Sequence, residues 1–273
     1  MTNITAADVN NLRKITGAGM MDCKKALMEA EGDVEKAIDI LRKKGQKVAA
    51  NRADRTTSEG CALAAINSEN TFGAIVALGC ETDFVAKNDG FVQLTQSILD
   101  IAIAHRPSDV ESLKNLPYEN LTVADKLIEQ TGVIGEKIDL VGYATLHGTY
   151  VASYIHHNKK IAVLVALSAP APEAAKDIAM QVAAMNPMAL DRNSVPQEII
   201  DRELEIGKEL ARQEGKPENM IEKIAQGRLG KFFAENTLLE QEFMKEGKMT
   251  VAQYLETIHK GLTVTGFKRI ALG

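Results

Sequence analysis

Two five-residue apolar runs, Ala74-Ile75-Val76-Ala77-Leu78 and Val163-Leu164-Val165-Ala166-Leu167, constrain this chain more than any other feature. Continuous apolar runs of that length, rich in β-branched residues, read as strands buried on both faces. Each run ends a hairpin pattern. Residues 61–66 and 71–78 flank the turn Asn67-Ser68-Glu69-Asn70, and residues 151–155 and 161–167 flank His156-His157-Asn158-Lys159. Each then leads through a polar or proline-containing joint into a helical pattern. A motif that recurs with the same sequel implies an internal duplication, so the expected fold class is α+β, with two subdomains of antiparallel sheet and packed helices side by side. With 273 residues the chain exceeds what one core usually accommodates.

Helical spacing dominates before the first hairpin. Val9, Leu12 and Ile15 line one face until Thr16-Gly17-Ala18-Gly19 interrupts it. Met20, Cys23 and Leu27 resume, and Asp33 starts a third helix with Val34, Ile38 and Leu41. Three short helices bury little surface, which makes them a docking module rather than a free-standing domain. Met20 and Met21 read by pattern as core filler, with exposure beside the glycine turn as the alternative. Residues 43–57, basic and without an apolar face, read as a solvated helical linker, with a phosphate-binding patch as the alternative. A helix follows Asp89, shorter helices span 109–116 and 122–130, and a strand spans 138–145. In the second half a helix covers 173–185 and stops before Pro187. Ile200, Leu204 and Ala211, then Ile221, Ile224, Leu229 and Phe232, give a helical hairpin turning at Gly215-Lys216-Pro217. Its charged outer faces suggest a projecting arm. A helix at 250–259 and a strand at 262–272, completing the second sheet, close the chain. The expected division is therefore a three-helix domain at 1–46, a linker at 47–57, one core subdomain at 58–135, a second at 136–190 and 235–260, an arm at 191–234 and a C-terminal segment at 261–273.

Bulk properties exclude several functions. A net charge of −5 argues against a dedicated nucleic-acid or anionic-membrane binder. No apolar run is long enough to span a bilayer, and the polar start Met1-Thr2-Asn3-Ile4-Thr5 does not resemble a signal peptide. Cys23, Cys61 and Cys80 are too scattered for a disulfide framework or a zinc site, which points to a reducing, cytoplasmic setting. Neither nucleotide-binding glycine motif occurs in its strand context, and no catalytic residue, metal site or cofactor is expected. His156 and His157, adjacent in sequence, make a poor metal pair if they lie on a strand.

The remaining feature is Cys80-Glu81-Thr82-Asp83-Phe84-Val85-Ala86-Lys87-Asn88, where the first apolar strand ends. By pattern, Asp83 caps a helix and Phe84 packs back into the core. Leu12-Arg13-Lys14-Ile15-Thr16-Gly17-Ala18-Gly19-Met20-Met21-Asp22-Cys23-Lys24-Lys25-Ala26-Leu27 and Thr82-Asp83-Phe84-Val85-Ala86-Lys87-Asn88, however, resemble the two signatures of the bacterial elongation factor Ts family. Ser153-Tyr154-Ile155-His156, residues 178–184 and residues 222–228 are also similar to the family pattern. The resemblance implies a guanine-nucleotide exchange factor that binds elongation factor Tu, GDP-bound and nucleotide-free, without enzymatic activity of its own. It implies an N-terminal fold like the ubiquitin-associated domain and a coiled-coil arm; a projecting arm of this kind touches either a partner or a second copy of the chain, as a homodimer, and the sequence leaves the two open. By position it implies partner contacts for Leu12, Gly19, Met20 and Met21, for His156, and for Phe243 and Met244, where Glu242 replaces the family's proline. Thr82, Asp83, Phe84 and Val85 are expected to act on the partner's Mg²⁺ site, with Asp83 and Phe84 inserting between two of its helices; on that reading Thr82 is the alternative helix cap and Phe84 an outward-pointing tip. An adaptor would bind without changing nucleotide release, and an enzyme would turn over substrate alone.

Overall fold

The computed structural model describes residues 4–273; residues 1–3, the start of the expected N-terminal domain, lie outside the described residues. The first helices are α1 (Ala6–Thr16), α2 (Met20–Glu29) and α3 (Val34–Asn51). Thr5 and Asp8 form a reciprocal capping box at the start of α1, and Gly17, at φ 69°, ends it in the left-handed region that favours glycine. Val9, Leu12, Cys23, Ala26, Leu27 and Ala37 make a small separate core. Ile15, expected on the buried face, is 57% exposed, because Thr16 turns inward instead and donates to Leu12 O. α3 runs on to Asn51, so the expected boundary between residues 46 and 47 falls inside a helix.

Two three-stranded antiparallel sheets follow. The first contains β1 (Glu59–Ile66) and β2 (Phe72–Cys80), from which the chain passes through α4 (Asp83–Ala86), α5 (Asp89–His105) and α6 (Val110–Lys114). A small ribbon of β3 (Pro117–Tyr118) and β4 (Leu121–Thr122) leads to α7 (Val123–Ile134) and β5 (Asp139–His147). The strand order is β1-β2-β5. The second sheet pairs β6 (Tyr150–Ile155), β7 (Ile161–Leu167) and, after the intervening helices, β8 (Val264–Ala271), in the order β6-β7-β8. Between β7 and β8 lie α8 (Pro172–Met185), α9 (Gln197–Gln213), α10 (Glu218–Asn236) and α11 (Val251–Ile258). β5 pairs with β2, so the sheets part at His147-Gly148-Thr149, later than the expected division at 135/136.

The two apolar runs are the central strands of the two sheets, and each is buried throughout. Alternate side chains of β2 face opposite ways. Ala74, Val76 and Leu78 pack on Phe91, Ile98 and Leu99 of α5, while Ile75 and Ala77 face Leu164 and Ala166 of β7. In β7, Val163, Val165 and Leu167 pack likewise on α8 and α11. The sheets thus lie face to face across a layer in which alanines alternate with Ile75, Val151 and Leu164, with helices on their outer faces. Both sheets break register at the same place: a bulge falls between Ala77 and Leu78 against β5, and another between Ala166 and Leu167 against β8. Both final strands also follow a helix opened by a threonine capping box, at Thr122 for α7 and at Thr250 for α11. The duplication therefore extends well beyond the two five-residue runs.

α9 and α10 form the hairpin arm. Its seam runs through Gly207 and Ala211 on one helix and Ile221, Ala225, Leu229 and Phe233 on the other. That is an i, i+4 repeat, so Ile224 and Phe232, expected on the seam, sit half-buried at its edge.

The N-terminal helices dock on the first unit through α3 and α7. At their crossing Gly45 meets Gly132, and a β-carbon on Gly132 would stand 2.4 Å from Gly45 Cα.

Candidate functional site

Among the described residues, the end of β2 positions the most exposed large apolar side chain. Thr82, in extended conformation, caps the single helical turn α4, its hydroxyl accepting from Val85 N at 3.4 Å. Asp83 is therefore the first helical residue and not the cap. Phe84 follows at 84% exposed, against the pattern-based expectation that it packs into the core. The reason is the phase of the turn: with Thr82 as cap, Val85 and Ala86 face inward onto the first core and Phe84 points out.

The mount beneath Phe84 is heavily hydrogen-bonded. Glu136, between α7 and β5, accepts from Glu81 N at 3.1 Å, Thr82 N at 3.0 Å and Thr82 Oγ1 at 2.6 Å. Glu81 in turn accepts from Lys137 N and from Arg52, both at 2.7 Å. These bonds hold the Glu81 carboxyl below the usual range, the Lys137 N–H contributing most. Cys80 donates to Thr82 O, and its burial pushes the thiol up to about 12, which makes it a poor nucleophile. Asp83 pairs with Lys87 one turn on, at 2.6 Å, and that hydrogen bond lowers the Asp83 carboxyl. An anionic Asp83 and an apolar Phe84 thus share one short, anchored turn.

Asp83 and Lys87 also line a groove of about 320 Å³ with Glu59, His157 and Lys159, so the fold brings the tip and the second hairpin's turn together. His156 and His157 follow β6 rather than lying on it, and their rings pack edge to face at 4.3 Å. His156 is half-buried, with Nδ1 3.1 Å from Tyr154 Oη, and His157 is the one lining the groove. Among the described residues no group of three or more His, Cys, Asp or Glu side chains is placed to hold a metal ion, and no helix is long and apolar enough to cross a membrane.

The other expected contact residues divide sharply by exposure. Gly19 caps α2 at the surface, and Met20 and Met21 are 50% and 64% exposed, which overturns their reading as core filler. Ile15, expected in the core, and Met28, not singled out from the sequence, add exposed apolar surface to the same helices. Leu12 is fully buried, as its helical spacing dictates, and supports that surface from beneath rather than forming it. Phe243 is equally interior, stacked on Tyr254 with ring centroids 3.9 Å apart, while Met244 beside it is exposed. Glu242 does not loosen this segment. Gln181 binds it from both sides, donating to Glu242 O and accepting from Met244 N. Sequence reading also missed Glu136, which lies 54 residues from Thr82 and carries no local signal of its role.

Comparison with known proteins gives this geometry its context. The family model described as Elongation factor TS matches residues 81–273. Elongation factor Ts of Christiangramia forsetii is 55% identical, with both chains covered completely. Elongation factor Ts of Amoebophilus asiaticus is 56% identical over 99% of each chain, and that of Porphyromonas gingivalis 52% over 98% of each. At that identity over its full length, the chain belongs to the elongation factor Ts family: it is a cytoplasmic translation factor that exchanges nucleotide on elongation factor Tu, and not an enzyme.

Proposed function

We propose that exchange is driven by Phe84, inserted with Asp83 between two helices of elongation factor Tu so that the partner's Mg²⁺ and phosphate contacts with GDP are disturbed. The observation that carries this reading is an aromatic ring 84% exposed on a single helical turn whose base is tied down. Covering the ring on a partner removes its apolar surface from water, which is favourable. Covering roughly 150 Å² of ring at about 25 cal/mol per Å² is worth about 4 kcal/mol. Accelerating release by three or four decades needs a coupling of about 4–6 kcal/mol, so one ring and a few accompanying contacts are of the right size. Mg²⁺ demands near-ideal octahedral geometry, and a small shift of a neighbouring helix is enough to weaken it. Coupling is reciprocal: nucleotide weakens factor binding by the same ratio, and rebinding of GTP releases the factor.

Gly19, Met20 and Met21 would meet the partner's nucleotide domain, with Ile15 beside them. Met244, mounted on buried Phe243, would meet the partner elsewhere, and the His156-His157 turn would border the contact made by Asp83. A second copy of this chain would pair through α9 and α10, where Ile206, Leu210 and Met220 remain exposed.

The test is release of fluorescent GDP from elongation factor Tu. Phe84→Ala should slow the maximal release rate by about a hundredfold or more while weakening binding to nucleotide-free partner far less. Equal losses in both would refute the wedge.

A further inference from the structure

We infer that Glu136 is a positioning residue for nucleotide exchange, its carboxylate fixing the turn that carries Phe84. The inference rests on the reading of Phe84 as the wedge. α4 is only four residues long and buries none of them fully; beyond the partial packing of Val85 and Ala86 on the first core, it cannot hold its own orientation. What holds it is the extended segment before it, and there Glu136 takes all three available protons: Glu81 N–H, Thr82 N–H and the Thr82 hydroxyl. The hydroxyl bond has a second effect. Threonine has one O–H proton and two lone pairs. With the proton committed to Glu136 at 2.6 Å, the lone pairs are left to accept Val85 N, which is the cap of α4.

The arrangement is reciprocal. Glu136 binds the backbone of residues 81 and 82, while the Glu81 carboxylate binds the backbone N–H of Lys137, the next residue to Glu136. Lys137 and Arg52 extend the brace to the end of α3, Lys137 Nζ donating to Ala53 O and Arg55 O and Arg52 to Glu81. None of these groups belongs to the buried apolar cores, and Glu136 itself is half-buried. Removing its carboxylate therefore frees the tip without opening a cavity.

The experiment compares Glu136→Ala, Glu136→Gln, Phe84→Ala and the double Phe84→Ala/Glu136→Ala in the GDP-release assay, together with hydrogen exchange of the free protein. Glu136→Ala should lower the maximal release rate by roughly ten- to hundredfold, as misplacing a functional group by about 1 Å does. Amide exchange should quicken at residues 83–87 and stay unchanged along β2. Glu136→Gln keeps an acceptor oxygen and should recover to within about threefold of the parent. The double variant should be no slower than Phe84→Ala alone, since both act through one ring. Parental release by Glu136→Ala, or additive losses in the double variant, would overturn the assignment while leaving the wedge standing if Phe84→Ala is slow. Parental release by Phe84→Ala would refute the wedge itself, and this inference with it. Should Glu136→Ala fold poorly, a Gln variant as slow as Phe84→Ala with unchanged exchange at 83–87 would equally refute it.

Discussion

Replacing Gly132 by alanine should loosen the N-terminal helices from the first unit, whereas the same change at its neighbour Gly45 should not. A β-carbon on Gly132 would sit 2.4 Å from Gly45 Cα and 3.4 Å from Gly45 N. Carbon atoms approach no closer than about 3.5 Å without repulsion, so α3 and α7 would have to separate by about 1 Å. The obstacle is backbone, not a side-chain end that could swing away. Overpacking of this kind costs about 1–3 kcal/mol, and relieving a helical glycine returns about 1 kcal/mol, leaving a net loss of up to about 2 kcal/mol. A β-carbon on Gly45 meets Ile128 O at 3.5 Å and Gly132 Cα at 3.7 Å, ordinary contact distances. Gly45→Ala should therefore keep the helix-propensity gain and be neutral or about 0.5–1 kcal/mol more stable. Urea unfolding of the two variants measures the difference. Hydrogen exchange locates it, with faster exchange in residues 6–51 of Gly132→Ala and parental exchange in β1 and β2. Two alanine variants of equal stability, or a Gly132→Ala more stable than the parent, would refute the close-packed crossing.

Two further outcomes are expected. Phe243→Ala should destabilise the second unit by about 3–5 kcal/mol, because it removes a fully buried ring stacked on Tyr254, whereas Met244→Ala should leave thermal unfolding unchanged and weaken partner binding; the reverse pattern would show that Phe243 is the contact residue. If two copies pair through the arm, light scattering should give twice the chain mass at micromolar concentration, and Ile206→Glu with Leu210→Glu should return it to a monomer; a monomeric parent would refute pairing.

Much of the architecture was legible because burial on both faces leaves an unmistakable trace. No polar residue interrupts 74–78 or 163–167, and both became central strands. Periodicity was also a reliable guide at Leu12, whose spacing from Val9 placed it in a core; the partner contact implied by resemblance does not fit a side chain with no exposed surface. Where a single residue decides the phase, pattern failed. One turn of helix has too few residues to show a period, so choosing Thr82 or Asp83 as cap decides whether Phe84 points in or out. The same weakness let Ile15 pass as a core residue, and Met20 and Met21 as filler. The mount was illegible for a different reason: Glu136, Glu81 and Arg52 meet through the tertiary fold, and a lone glutamate after a glycine carries no signature. Membership of β5 in the first sheet was likewise a matter of pairing, which strand propensity does not record.

The repeated bulge, one extra residue of the edge strand opposite Ala77–Leu78 and again opposite Ala166–Leu167, marks matched points on the two central strands, yet β7 ends at Leu167 while β2 pairs on to Cys80, and the exits have been put to different use. From β7 the chain crosses Ser168-Ala169-Pro170-Ala171 and enters α8 directly, with Pro172 as its first residue. From β2 it makes the braced turn that presents Phe84 before α5 can begin. The second unit instead carries its elaboration later, as the long arm between α8 and α11, where the first has only α6 and a two-residue ribbon. Each half thus keeps plain what the other has specialised. A molecule built this way can change its probe without touching its lever, since the two additions occupy different outlets of the same repeated plan.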